Sequence, residues 1–114
     1  MPLRQRVVGD VAQLFAVLGH PTRVRLLAIL YQGEHDVSDL RERLGVPAAN
    51  VSQHLAALRS HRLVTVRRAG NRMYYGIRDP RVADLINRAL DVLATDIPQE
   101  RALHKAIELV RLKA

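Results

Sequence analysis

The chain of 114 residues contains no cysteine and no tryptophan, and only 4% of it is aromatic. Without cysteine there are no disulfides, thiolate metal sites, iron–sulfur clusters or thiol switches. So few aromatics offer no stacking platform for single strands of nucleic acid. Long apolar runs are missing too. The longest, Leu26 to Tyr31, is six residues, against the ~20 that a membrane span needs. Asp10 and Gln13 fall where a signal peptide would place its apolar core, so no such leader is expected. Catalytic patterns are equally scarce. No Gly-flanked nucleophile, phosphate-cradling glycine loop, zinc-protease pair or paired buried carboxylates can be placed, and no enzymatic activity is expected. A small-molecule site would need a sizeable pocket, which a core of small aliphatics does not advertise. The expectation is one cytoplasmic domain, without a membrane partner, small enough to benefit from a second subunit.

What is present is positive charge in one place. The net charge is +7, from 18 Lys+Arg against 11 Asp+Glu, and sixteen of the bases are arginine. Residues 1–58 carry +1 and residues 82–114 carry zero, so residues 59–81 hold +6. In that segment Arg59, Arg62, Arg67, Arg68, Arg72, Arg78 and Arg81 face Asp79 alone. An arginine-rich genome would explain arginine over lysine, but not this clustering. The planar guanidinium fork suits phosphates and guanine edges, and a compact basic segment points to nucleic acid.

The hydrophobic pattern is mainly helical, and no repeat or low-complexity segment interrupts it. Val7, Val11, Leu14, Phe15 and Leu18 mark a first helix ending at Gly19. Thr22 is placed to cap a second, with Val24, Leu27 and Leu30 on its apolar face and Leu26 and Ile29 beside it. A third, from Val37 to Leu44 behind an Asp36 cap, is followed by the turn Gly45-Val46-Pro47. A fourth runs from Ala48 to about Ser60, with Val51, Leu55 and Leu58 inward and Asn50, Gln53, Ala57 and Ser60 opposite. Two short helices across such a turn form a helix-turn-helix. The period then changes: Leu63–Arg67 and Met73–Ile77 alternate around the turn segment 68–72, predicting a basic hairpin. From Asp79-Pro80 a long helix follows with an apolar stripe. The last helix, capped by Thr95 or Asp96 and opened by Pro98, turns Leu103, Ile107 and Val110 inward.

The predicted fold is mainly α (α+β): a winged helix-turn-helix of five to six helices and a two-stranded wing. The helix-turn-helix occupies residues 36–60 and the wing 63–77, with helical segments at 1–19 and 79–114 on either side. Base edges in a major groove need short polar side chains and a small-residue entrance near a helix N-terminus, which assigns Ala49, Asn50, Ser52 and Gln53. His54 either contacts phosphate or packs at the helix flank. Arg59 on the flank, and Arg67, Arg68, Asn71 and Arg72 about the hairpin, are expected at the backbone or minor groove, Asn71 also shaping the turn. Tyr74 and Tyr75, on opposite faces of a strand, predict one packed and one exposed ring. Duplex DNA is favoured over RNA.

Together, Leu18-Gly19-His20-Pro21-Thr22-Arg23, Val37-Ser38-Asp39-Leu40, Val51-Ser52-Gln53-His54-Leu55 and residues 68–75 resemble the ArsR/SmtB family of bacterial regulators, over about residues 10–93. The resemblance implies a dimeric winged helix-turn-helix, a homodimer joined through its first and fifth helices, with 1–19 and 79–114 as the dimerisation helices. The expected interface is Val11, Leu14, Phe15, Leu18, Val82, Leu85, Ile86, Ala89, Leu90 and Leu93. It also implies a palindromic operator, usually repressed, from which many members are released by a metal ion. The family's metal ligands are missing. Asp36 and Ser38 stand where soft-metal sensors keep cysteines. Asp79 matches the first fifth-helix ligand, but Arg81 replaces the histidine and the later positions fall near Val92 and Thr95. Glu100, His104 and Glu108, at i, i+4 and i+8, are the remaining candidates for zinc or nickel, against ordinary pairing with nearby Arg101, Lys105 and Arg111. Glu34, His35, Asp36 and Asp39 form a second oxygen-rich cluster that capping explains equally well. Two other readings stay open: a DNA-binding subunit whose signal a separate sensor protein detects, and an architectural protein binding DNA without sequence preference.

Overall fold

Helix α1 (Leu3–Leu18) begins a chain that the computed structural model describes over residues 2–95 and 100–114. Its last turn buries Val17 and Leu18, Leu14 packs half-buried against the core, and Val7, Val11 and Phe15 are exposed. Helix α2 (Pro21–Gln32) starts on a proline at N1, where a missing N–H costs nothing. Its cap is His20, whose Nδ1 accepts from the Thr22 N–H at 3.1 Å. This corrects the expectation of a Thr22 cap: Thr22 is already inside the helix, one residue past Pro21. Leu26, Leu27 and Leu30 of α2 are the centre of the core.

Strand β1 (His35–Asp36) leads directly into α3 (Val37–Leu44). The Asp36 carboxylate accepts from the Asp39 N–H at 2.8 Å, the expected cap. Across the Gly45-Val46-Pro47 turn, α4 (Ala48–Ser60) sends Val51, Leu55 and Leu58 fully into the core. Ala57, assigned to the outer face by spacing, is half-buried instead.

Strands β2 (Val64–Ala69) and β3 (Arg72–Ile77) form the hairpin, with Val64 opposite Ile77 and Ala69 opposite Arg72. Its two-residue turn has a positive φ at Gly70 and not at Asn71, which is why glycine comes first. The hairpin is extended to an antiparallel sheet in the order β1-β3-β2, with Asp36 paired to Tyr74 and His35 to Tyr75. Gly76 permits the close approach of the edge: a Cβ there would come within 3.2 Å of Glu34 Cγ. Tyr75 packs on the core, whereas Tyr74 is half-buried beneath Arg67 rather than exposed.

Helix α5 (Arg81–Thr95) buries Val82, Ala83 and Ile86, and α6 (Arg101–Val110) buries Ile107. Leu103 and Val110, expected inward, are exposed in the protomer because α6 lies against α5 at the edge of the molecule. Thr95 ends α5 and donates its hydroxyl to the Asp91 carbonyl, so it does not cap α6; Asp96 and Pro98 lie outside the described residues. After α6 the buried Leu112 is clasped by Asn87, which donates to its carbonyl at 3.0 Å and accepts from its N–H at 2.9 Å. Among the described residues no single helix is long and apolar enough to cross a membrane.

Candidate nucleic-acid interface

The outward side of α4 is polar, small and unobstructed. Ala49, Asn50, Ser52, Gln53 and Arg59 are all exposed, and the buried positions 51, 55 and 58 fix which side of the helix they occupy. No side chain caps the N-terminus, which begins after Pro47. Its first N–H groups are therefore oriented outward beside two alanines, a setting that favours an anion.

His54 is the exception in this set. It is half-buried, its ring centroid lies 4.2 Å from that of His20, and its Nδ1 accepts from Arg23 Nε at 3.1 Å. Arg23 also donates to the Val17 carbonyl. Burial, followed by the charges of His20 and Arg23, pushes the His54 imidazole below its ordinary range. Of the two open readings the geometry favours packing at the flank, where His54 ties α4 to the start of α2.

The hairpin separates its arginines by face. Alternation along the strands puts Arg68 on the side of Val64 and Tyr75, which pack on the core, and puts Arg67, Arg72 and Tyr74 on the other. Arg68 is exposed at the tip and donates to the Gly70 carbonyl, so its guanidinium stays near the turn with Asn71. Arg67 lies 5.0 Å from the Tyr74 ring centre and donates to Glu34, with Nη2 3.0 Å from Oε1. Arg72 donates to Asp36 Oδ2 at 2.9 Å. Both are expected at the backbone or minor groove, and in the free protomer each is matched by a carboxylate more than thirty residues away in sequence. The oxygen-rich cluster around residue 36 is explained in the same way. It supplies these two partners, while Asp39 binds His35 and Arg43. Partial desolvation raises the Asp39 carboxyl, and the hydrogen bonds from Arg43 and His35 more than reverse it.

Two arginines of the basic segment acquire significance only here. Arg62 precedes β2 and Arg78 follows β3, at the end of the hairpin away from its tip, both exposed, and Arg62 has a left-handed backbone. Their only sequence signal is membership in the cluster of charge.

The residues do not fit a metal at the places where the resemblance looks for one. Asp79 is covered by Arg81, which donates to it from Nε, Nη2 and the backbone, the closest contact 2.6 Å, and these bonds hold its carboxyl down at about 2. Asp36 is engaged by Arg72. Glu108 pairs with Arg111 at 3.1 Å, and Glu100, His104 and Glu108 do not converge, since i and i+8 lie about 12 Å apart along a helix. Among the described residues no three His, Cys, Asp or Glu side chains are grouped to hold an ion.

Of the expected dimer residues, Val11, Phe15, Leu85, Ala89 and Leu93 are exposed, and Leu14 and Leu90 are half-buried. Leu18, Val82 and Ile86 are a correction: they are buried within the protomer and leave little surface for a partner. Phe15 of α1 and Leu85, Ala89, Leu90 and Leu93 of α5 line, with Val24 and Val110, an almost wholly apolar groove of about 310 Å³.

Residues 20–66 match the family model described as bacterial regulatory protein, arsR family. The transcriptional regulator KmtR of Mycobacterium tuberculosis is 41% identical over 85 residues, covering 75% of this chain and 65% of KmtR. The crystal structure of Rv0081, from the same organism, superimposes with a TM-score of 0.69 at 35% identity, covering 83% of this chain and 92% of that one. The solution structure of the homodimeric winged helix-turn-helix DNA-binding domain Mb0332 from Mycobacterium bovis gives 0.72 at 31%, covering 86% and 90%. With these relatives, an α4 open to solvent and an arginine-bearing wing, the chain belongs to the ArsR family of bacterial regulatory proteins and is a DNA-binding transcriptional regulator.

Proposed function

We propose that the protein represses transcription by binding a palindromic operator as a homodimer. The two α4 helices enter successive major grooves about one helical turn (~34 Å) apart. Asn50, Ser52 and Gln53 read base edges, and Ala49 lets the backbone approach. Gln53 is suited to a bidentate pair with adenine. Arg59 and Arg68, with Asn71 at the wing tip, hold the backbone on either side. The observation that carries this reading is the exposed face of α4, with its uncapped N-terminus, set beside a hairpin whose tip carries Arg68. The dimer forms through Val11, Phe15, Leu85, Ala89 and Leu93, apolar side chains that a lone protomer leaves in water.

The test is selection of duplexes from a random pool, then titration of variants against the recovered sequence and an unrelated competitor. Gln53→Ala is expected to shift sequence preference by about 1–3 kcal/mol per contact. Arg68→Ala is expected to weaken all duplexes alike and flatten the salt dependence. Unchanged preference in Gln53→Ala would remove the base-reading assignment. Failure to prefer any sequence would leave the architectural reading.

A further inference from the structure

Asp36 is the buried charged side chain among the described residues, 9% exposed, and it is bonded at three points, one in α3 and two in β3. Its Oδ1 caps α3 through the Asp39 N–H, its backbone pairs with Tyr74 in β3, and its Oδ2 receives Arg72, the first residue after the hairpin turn. Arg72 itself is 65% exposed. Resting on the DNA-binding reading above, we infer that Asp36 and Arg72 are positioning residues: a strut that fixes the wing tip relative to the helix-turn-helix, and not a phosphate contact.

The physical case is a comparison of the two ion pairs on this face. Glu34 and Arg67 are both about half exposed, so Arg67 can exchange its carboxylate for a phosphate and leave Glu34 to water. Asp36 has no such freedom. If Arg72 turned to DNA, a carboxylate with 12% side-chain exposure in the paired state would lose its charged partner and keep the Asp39 N–H as its remaining side-chain bond. The pair therefore persists on DNA. Its effect is to hold the tip, with Arg68 and Asn71, in place before binding, so that less freedom is lost when the wing docks. Because Asp36 also caps α3, which packs on α4, tip and reading helix share one anchor.

The test uses the full chain and a fluorescent duplex recovered by the selection described above, titrated across a salt series. Asp36→Asn keeps a good helix cap while removing the charge; Arg72→Gln changes the exposed end alone and leaves the cap untouched. Each is expected to weaken binding by roughly tenfold, a typical coupling within one ion-pair network. The slope of log affinity against log salt should stay that of the wild type, and the double variant should bind no worse than either single. Melting by circular dichroism verifies that the variants are folded. If Asp36→Asn is not, Arg72→Gln still decides the matter through its slope. A slope lowered by about 2 per dimer in Arg72→Gln would mark a direct phosphate contact in each subunit and overturn the inference. Wild-type affinity in Arg72→Gln, or a double variant weakened by the product of the two effects, would overturn it as well. A wild-type protein that recovers no duplex would instead bring down the DNA-binding reading itself.

Discussion

Arg62 occupies a backbone conformation that usually belongs to glycine. At the end of α4 the Leu63 N–H donates to the Leu58 carbonyl and the Arg62 N–H to the Arg59 carbonyl, the paired bonds of a Schellman motif. The residue between must be left-handed, and Arg62 has φ 59°. Buried Leu58 and Leu63 supply the apolar contact that accompanies the motif and hold the strained residue in place. A non-glycine in this region costs roughly 1 kcal/mol. Replacing it with glycine should therefore raise stability by about that amount, moving the melting temperature by about 4 °C in a domain of this size. The same change removes a cation from the basic segment, so duplex affinity should fall. Thermal melts and titrations measure the two effects separately; an unstabilised Arg62→Gly would mean that the strain is absent. An arginine kept where glycine fits better is the local inconsistency expected at a working surface.

The joint between α2 and α4 gives the elements their own pH dependence. His54 must be unprotonated at Nδ1 to accept from Arg23, and its folded imidazole binds a proton less readily than an unfolded one. Its contribution to stability is accordingly complete above about pH 6.5, the ordinary imidazole value, and is lost as the pH falls below it. Asn, with an acceptor at the same position, does not titrate. Wild-type melting temperature should drop between neutral and mildly acid pH more steeply than that of His54→Asn. Parallel curves would show that the joint is not the cause.

Local patterns made most elements readable. Asp36 before an apolar helix, the Gly-Val-Pro turn and the alternation around Gly70 each dictate their structure within a few residues. What escaped is non-local. A strand as short as His35-Asp36 has no periodicity of its own and exists because β3 offers it an edge. The partners of Arg67 and Arg72 lie 33 and 36 residues away, so their charge was visible and their engagement was not. Periodicity placed Leu18, Val82 and Ile86 on apolar stripes, but a stripe does not say whether its own chain or a second one covers it. The face of α4, by contrast, was legible because the three buried positions within it determine the rest.

The whole protomer is broad and thin, 50 × 44 × 23 Å, with a radius of gyration of 15.7 Å. A compact chain of this length would have about 13 Å. The excess comes from α1 and the wing, which project from a core centred on α2. Phe15 of α1 and Leu93 of α5 are each 58% exposed. Charged substitutions there, Phe15→Glu or Leu93→Glu, should convert dimer to monomer in sedimentation experiments. Each should also make operator binding non-cooperative, with an affinity close to that for one half-site. A variant that still sediments as a dimer would place the interface elsewhere.

Because the excess charge is confined to residues 59–81 while both flanking segments are near neutral, the molecule has a lasting electrical polarity. In a field of phosphates such a body is turned before it is held. A dimer approaching DNA experiences a torque that swings its arginine side forward, and more of its collisions begin in a productive orientation. Where the arginines lie along the chain thus governs how quickly the protein finds DNA, separately from how long it remains there.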